Sequence, residues 1–262
     1  MDPALRAAAT GMMAQQTRTE VIANNLANVN TTGFKQSRTH FVDLLYQTVQ
    51  GATTVSNTDA TMTPAIQVGR GTRLAGIERN NGQGAMEQTS RPLDIGIQGD
   101  GFFQINMPNG QLAYTRDGSF QISDQGTLVT SEGLTVAPGI KIPSDASSVN
   151  ISSTGIVSVT SGSSANLTEV GRIELARFAN PSGLQSMGGN LFQATAAAGE
   201  PTTGYPQDEG LGRVQQGYLE GSNVEIVQEM VDMISAMRAY EVNSKAIKNS
   251  ESMAEISNAL IR

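Results

Sequence analysis

Hydrophobic and polar positions change period twice along the chain, and those two changes divide it into three parts. In the first part Leu5, Met12, Thr19 and Leu26 recur every seven residues, as do Ala8, Gln15, Ile22 and Val29. Together they trace a 3-4 stripe, partly apolar and broken by Thr19 and Gln15, which predicts an amphipathic helix. Asp2-Pro3 suits its start, Asp as N-cap and Pro at the first helical position. The pattern fades after Val29 and Gly33 falls in the exit turn. A helix over 3–30 would be about 42 Å long at roughly 1.5 Å per residue.

The last part shows the same period. Ile226, Met230, Met233, Met237, Tyr240, Ile247, Ala254 and Ile261 follow one face, and Val227, Val231 and Ile234 widen it near the start. Ser244, Glu251 and Asn258 occupy the missing steps, so the seam weakens toward the C-terminus. Ser222-Asn223-Val224-Glu225 fits a capping box. No Pro or Gly interrupts 223–260, which predicts about 57 Å of helix.

Between the helices the period falls to two. Phe103, Ile105 and Met107 alternate with polar residues, and Pro108-Asn109-Gly110 turns the chain into Leu112 and Tyr114. Asn-Gly between alternating runs is a strong hairpin signal. Asp117-Gly118, Gln125-Gly126 and Glu132-Gly133 follow at seven- or eight-residue intervals, predicting a meander of short antiparallel strands. Further strands are expected at 148–151, 156–160 and 170–178. Residues 47–72 and 199–212, rich in Gly, Thr and Pro, read as loops or extended connectors.

The fold class is therefore α+β: N- and C-terminal helices paired antiparallel in a coiled-coil-like stem, with an all-β antiparallel middle domain. The divisions are 1–34 for the first stem helix, 35–82 for an extended connector, 83–212 for the β domain and 213–262 for the second stem helix. A lone stem with so partial a seam is marginal. Burial contributes about 25 cal/mol per Å², against about 1–2 kcal/mol of backbone entropy per ordered residue. Packing among identical stems would complete it, so the pattern points to self-assembly, with both ends largely disordered in the free monomer.

Composition narrows the functions. Of 262 residues, 5% are aromatic and none is Trp or Cys, which excludes disulfides and thiolate chemistry. Net charge is −7, with no basic run. Neither nucleic acid nor an acidic membrane surface finds its cationic footprint here. No apolar stretch reads as a signal peptide or a membrane span. If the chain leaves the cytoplasm, the expected route leaves its N-terminus intact.

No motif carries catalysis. His40 is the only histidine, too few for a histidine metal site. Gly69-Arg70-Gly71, Gly82-Gln83-Gly84 and Gly99-Asp100-Gly101 lack the third glycine and the following helix of a phosphate cradle. Asp94, Asp100, Asp117 and Asp124 offer carboxylates for a glycosidase pair, but three stand at or near glycines in predicted turns, where Asp serves backbone geometry. No cofactor and no metal is expected. The run Ala23-Asn24-Asn25-Leu26-Ala27-Asn28 is different, since Asn disfavours helix. Two readings stand: a helix end fraying into a turn, or amides hydrogen-bonding across packed helices and fixing their register.

Ala23-Asn24-Asn25-Leu26-Ala27-Asn28-Val29-Asn30-Thr31-Thr32-Gly33-Phe34-Lys35 resembles the N-terminal signature of the bacterial flagellar axial proteins, which form rod and hook. Gly99-Asp100-Gly101-Phe102-Phe103 and Tyr114-Thr115-Arg116-Asp117-Gly118-Ser119-Phe120 resemble that family's β-domain motifs, and 237–245 its C-terminal helix. Residues 176–184, 189–192 and 216–224, with the overall length, are most similar to the family's distal rod members, whose extended insertion falls at 46–72 here.

The resemblance implies a homopolymeric helical tube spanning the periplasm, helices inside and β domains outside, exported by the flagellar type III apparatus. Other rod subunits, hook subunits and the P and L rings are the implied partners. The residues expected to pack in assembly are Leu5, Met12, Ile22, Asn24, Asn25, Leu26, Asn28, Ile226, Met230, Met233, Ile234, Met237, Tyr240 and Ile247. A proximal rod or hook subunit is the alternative within the family, and a periplasmic cell-wall-processing enzyme the alternative outside it.

Overall fold

The structure, a computed structural model, describes residues 3–51, 53–54, 62–63, 65–161, 167–208 and 210–260. The chain divides into two compact units. The first comprises 1–26, 37–78 and 225–262, the second 27–36 and 79–224.

The first unit holds both long helices, α1 (Pro3–Ala27) and α2 (Ile226–Leu260). Each is shorter at one end than the periodicity predicts. The Asn-rich run still carries α1 to Ala27, and α2 starts after the proposed capping box. That box does not form: the Ser222 hydroxyl accepts from the Val224 amide at 3.3 Å, and the first helical bond runs from the Glu229 amide to the Glu225 carbonyl at 3.0 Å. Asn223 is drawn elsewhere. Its side chain donates to the carbonyls of Asn80 and Gly82 and accepts the Gln36 amide at 2.7 Å, all within the second unit.

The helices run antiparallel, as three pairings in order along them show. Asn25 Nδ2 lies 3.3 Å from Glu229 Oε2, Arg18 Nη2 lies 2.8 Å from Asp232 Oδ1, and Gly11 faces Asn243. A β-carbon at Gly11 would fall 2.9 Å from Asn243 Nδ2, so glycine permits the close approach there.

Within 37–78 the described residues form paired strands where loops or extended connectors were expected over 47–72. Ser37–Asp43 pairs with Thr72–Arg79, Gln47–Gln50 with Ile66–Val68, and Thr53–Thr54 with Met62–Thr63. Residues 52, 55–61 and 64 of the expected connector lie outside the described residues. The strands escaped the sequence reading because 47–50 and 66–68 are exposed throughout. A ribbon with no buried face needs no alternation.

The second unit is built on the strand Phe102–Asn106, which is buried on both faces. Phe103 and Ile105 point into a large core with Ile95, Ile97, Phe120, Leu128, Val136, Ile173, Leu175 and Val214. Phe102, on the other face, packs with Tyr114, Phe178, Leu184 and Phe192. Edge-on ring pairs tighten both layers, at 5.0 Å for Phe103–Phe120 and 4.7 Å for Tyr114–Phe178.

The hairpin at Asn109-Gly110 joins this strand to Leu112–Thr115. The next strands depart from a simple meander. Thr135–Val136 returns to pair with Ile105 and Asn106 on the opposite edge, and Leu175–Arg177 pairs beside it with Phe102 and Phe103. Ala146–Ile151, Ile156–Ser161 and Leu167–Arg172 form a separate three-stranded sheet.

Two stretches differ from expectation. Thr202–Gly204, expected as loop, pairs with Leu175–Arg177. Residues 213–224, expected with the C-terminal helix, contribute strands instead: Arg213–Gln216 pairs with Ile95–Gln98, and Tyr218–Glu220 with Met86–Gln88.

Candidate assembly surfaces

Helix α2 offers two faces of opposite character. Glu229, Ala236 and Ser250 are buried, with Asp232, Met233, Ala239, Asn243 and Ile247 half-buried along the same side. The positions 229, 236, 243 and 250 repeat at seven residues and carry Glu, Ala, Asn and Ser. This intrachain seam is small and polar. Ile226, Val227, Met230, Val231, Ile234, Met237 and Tyr240 lie on a broad face turned largely away from it, each between 45% and 72% exposed. Soluble monomers rarely leave so contiguous an apolar surface in water, and such surfaces mark association sites.

Most of the α2 stripe read from the sequence therefore does not meet α1 in one chain. Only Met233 and Ile247 of that set are even half-buried; Ile226, Met230, Ile234, Met237 and Tyr240 are exposed. The physical reason is size: the close helix approach at Gly11 favours small residues on the seam and displaces Met and Ile outward.

On α1, Ile22 and Asn25 are buried, Leu5, Met12 and Leu26 half-buried and Asn24 exposed; Asn28, just past the helix, is half-buried. Asn25 is the amide that crosses between elements. Its Oδ1 accepts the Ser37 amide and its Nδ2 donates to the Ser37 carbonyl, both at 2.9 Å, beside the 3.3 Å approach to Glu229. One side chain thus ties the end of α1 to the first strand after it and to the first turns of α2.

The second unit holds an ionic node that the sequence reading missed. Glu220 is wholly buried; its Oε1 lies 2.6 Å from Lys35 Nζ, and its Oε2 lies 2.8 Å from Arg116 Nε in an ion pair too poorly aligned to be a hydrogen bond. Lys35 also donates to the Gly82 carbonyl at 2.8 Å, and the Gly84 amide donates to Glu220 Oε1 at 2.9 Å. Arg116 donates through Nη1 to the Gly101 carbonyl and through Nη2 to that of Gly99 at 2.7 Å. Burial pulls the Lys35 amine below its ordinary value, against the opposing pull of Glu220.

Backbone bonds reinforce the node. The Gly33 amide donates to the Glu220 carbonyl at 2.8 Å, and Gly33 adopts φ +68°, where a β-carbon would sit 2.8 Å from the Asp117 nitrogen. Thr32 donates to Asp117 Oδ1 at 2.8 Å. The node thus joins residues 32–35, 116–117 and 220, each inside a sequence motif that also contains glycine.

The remaining candidate chemistry is accounted for locally. His40 Nε2 lies 3.0 Å from Glu78 Oε2, with both side chains more than half exposed. Asp117 caps its own turn by accepting from Ser119, Asp124 accepts from the Ser123 hydroxyl, and Asp94 lies buried 3.8 Å from Arg91. Among the described residues no group of acidic or histidine side chains is arranged to hold a metal, and no helix is long and apolar enough to cross a membrane.

Comparison with known proteins matches three stretches to family models. Residues 5–35 match "Flagella basal body rod protein", 96–159 match "Flagellar hook protein FlgE/F/G D1 domain", and 215–260 match "Flagellar basal body rod FlgEFG protein C-terminal". The chain is 51% identical to the flagellar basal-body rod protein FlgG of Borreliella burgdorferi, over 99% of this chain and 98% of that one. It is 45% identical to the FlgG protein of Caulobacter vibrioides, over 98% of each. Against the flagellar basal-body rod protein FlgF of the same organism, identity falls to 34% over 100% of this chain and 97% of the relative.

Proposed function

Since the chain belongs to the flagellar basal-body rod protein family, a family of structural subunits, we propose that it forms the distal segment of the rod by homopolymerising into a rigid helical tube. The carrying observation is the exposed apolar face of α2, from Ile226 to Tyr240. In this reading that face packs against helices of neighbouring copies and completes a coiled-coil-like stem. The packing set is the one read from the sequence: Leu5, Met12, Ile22, Asn24, Asn25, Leu26 and Asn28 along and just past α1, and Ile226, Met230, Met233, Ile234, Met237, Tyr240 and Ile247 on α2.

A surface on one copy that meets a different surface on the next does not close on itself, and a rotation that fails to close makes an open helix. Such a tube carries torque through many parallel contacts and leaves a bore for export. Its ends would meet other rod subunits and hook subunits, and its outside the P and L rings, with assembly in the periplasm after export through the flagellar apparatus. Identity is 51% to the Borreliella burgdorferi FlgG protein and 34% to the Caulobacter vibrioides FlgF protein, which supports the distal assignment.

Ile234→Asp and Met237→Asp test it. Both positions are more than half exposed in the single chain, so the monomer should unfold at the wild-type urea midpoint. Each buried apolar side chain contributes about 1.5–3 kcal/mol to an interface, so filaments seen by electron microscopy should disappear. Filaments of normal length in both variants would refute the packing assignment. A deletion strain whose basal bodies carry a complete rod would refute the distal one.

A further inference from the structure

The ionic node opens on one side into a cavity of about 160 Å³, lined by Lys35, Asn81, Asp100, Arg116, Arg177 and the rings of Phe102 and Phe178 among others. Its walls are chemically one-sided. Lys35 and Arg116 are almost fully buried, whereas Arg177 is exposed at the rim and its side chain makes no hydrogen bond or ion pair among the described residues. Among the described residues that line or back the cavity, three cations face two carboxylates, Asp100 on the wall and Glu220 behind it, so one positive charge is left over there. Both Glu220 oxygens are already turned to Lys35 and Arg116.

The rim cation is also given room. A β-carbon at Gly210, which adopts φ +75°, would meet Arg177 Nη1 at 2.2 Å. Phe102 and Phe178 pack edge to face with centroids 5.9 Å apart and form an apolar wall. Apolar surface beside a fixed excess cation suits a carboxylate on a short alkyl stem, such as an acidic side chain. At roughly 30 Å³ per water, the space equals about five waters, enough for one side chain and too little for a folded segment.

We propose that this cavity receives an acidic side chain from an exposed turn of a neighbouring copy, with Arg177 pairing to it at the mouth. The occupant follows from charge. The chain carries a net −7, so a second copy brings an acid-rich surface to a cavity that lacks one anion, and a polymer holds that surface in fixed register. This rests on the homopolymer reading. It adds a specific contact between β-rich units, separate from the helical seam, and an ion pair removed from water resists being broken once formed.

Three measurements test it. Glutarate titrated into the dilute wild-type chain should shift the amide resonances of Gly101, Phe178 and Ala179 saturably in the millimolar range, and Arg177→Gln should abolish the shifts. Arg177→Glu should raise the critical concentration for polymerisation by about thirtyfold or more, the equilibrium equivalent of losing a buried charge pair, with its thermal midpoint unchanged. Polymers of Arg177→Lys made from mixed 14N and 15N chains, treated with a water-soluble carbodiimide, should yield an amide between residue 177 of one copy and an Asp or Glu of another.

Absence of glutarate shifts, a wild-type critical concentration in Arg177→Glu, or cross-links to Asp100 of the same copy alone would each overturn the proposal. Failure of the wild-type chain to polymerise under any condition would instead overturn the homopolymer reading, and this occupant with it.

Discussion

Replacing Glu220 with Gln removes one charge and almost no volume from the most buried polar position in the second unit. Its carboxylate lies 2.6 Å from Lys35 and 2.8 Å from Arg116, and the side chains of all three are at most 6% exposed. In Glu220→Gln the amide oxygen can still accept from Lys35 or from the Gly84 amide. The amide nitrogen, however, meets a second donor at Arg116, and two buried cations lose their anion. Breaking a buried pair by removing one partner costs about 3–5 kcal/mol. For a folded unit of this size each kcal/mol lowers the midpoint by about 2–4 °C, so the variant should melt roughly 6–20 °C below wild type. Urea unfolding of the full chain, followed by its near-ultraviolet aromatic signal, measures the loss directly. Adding Lys35→Met to Glu220→Gln removes one of the stranded cations. The double variant should be less destabilised than the sum of the single ones by roughly 1–3 kcal/mol. A loss under about 1 kcal/mol with unchanged denaturant slope, or strict additivity in the cycle, would refute the claim that this node holds the motifs together.

The node also sets a pH dependence. Burial holds the Lys35 amine below its ordinary 10.5, so in the window beneath that value the unfolded chain binds more protons than the folded one. Stability therefore gains from Lys35 as pH rises through that window, and the wild-type advantage over Lys35→Met in urea should grow from neutral pH toward 10.5; a flat or falling difference would contradict it. Asn25→Ala strands the Ser37 amide and carbonyl that its side chain now satisfies. At about 1–3 kcal/mol for the unsatisfied groups, hydrogen exchange at Ser37 should accelerate by roughly 5- to 150-fold, and unchanged exchange would show that the amide is not the tie.

What was legible in the sequence divides by chemistry. Strand existence was readable where apolar and polar positions alternate: Gln104 and Asn106 follow Phe103 and Ile105 in turn, and Asn109-Gly110 turns between them and Leu112, although this strand proves buried on both faces. Strand order was not, because Thr135–Val136 and Leu175–Arg177 reach Phe102–Asn106 by backbone bonds that leave no periodic trace. The ribbon strands 47–50 and 66–68 were silent for the same reason in stronger form, every residue of both being exposed. Helix existence was plain, yet the helix seam was misplaced. The apolar repeat runs through Met230, Met237 and Tyr240, whereas the intrachain seam repeats Glu229, Ala236, Asn243 and Ser250. The ionic node was hidden because a buried charge looks like a surface charge until the fold brings its partners together, here Lys35, Arg116 and Glu220 from distant motifs.

The outward placement of the α2 apolar face bears directly on assembly. Had Ile226, Met230, Ile234 and Met237 faced α1, the two helices would satisfy each other and the first unit would have little reason to associate. Instead α1 and α2 meet through glycine, alanine, serine and amide side chains, which permit close approach but bury little apolar area. The strongest intrachain ties there are polar and local, at Asn25 and at the half-exposed Arg18–Asp232 pair, the latter worth about 0–1 kcal/mol. The hydrophobic surface that would normally stabilise a helix of 35 residues is thus left facing outward. In the proposed tube that surface is buried against a different surface of the next copy, and a heterologous contact whose rotation does not close extends as an open helix.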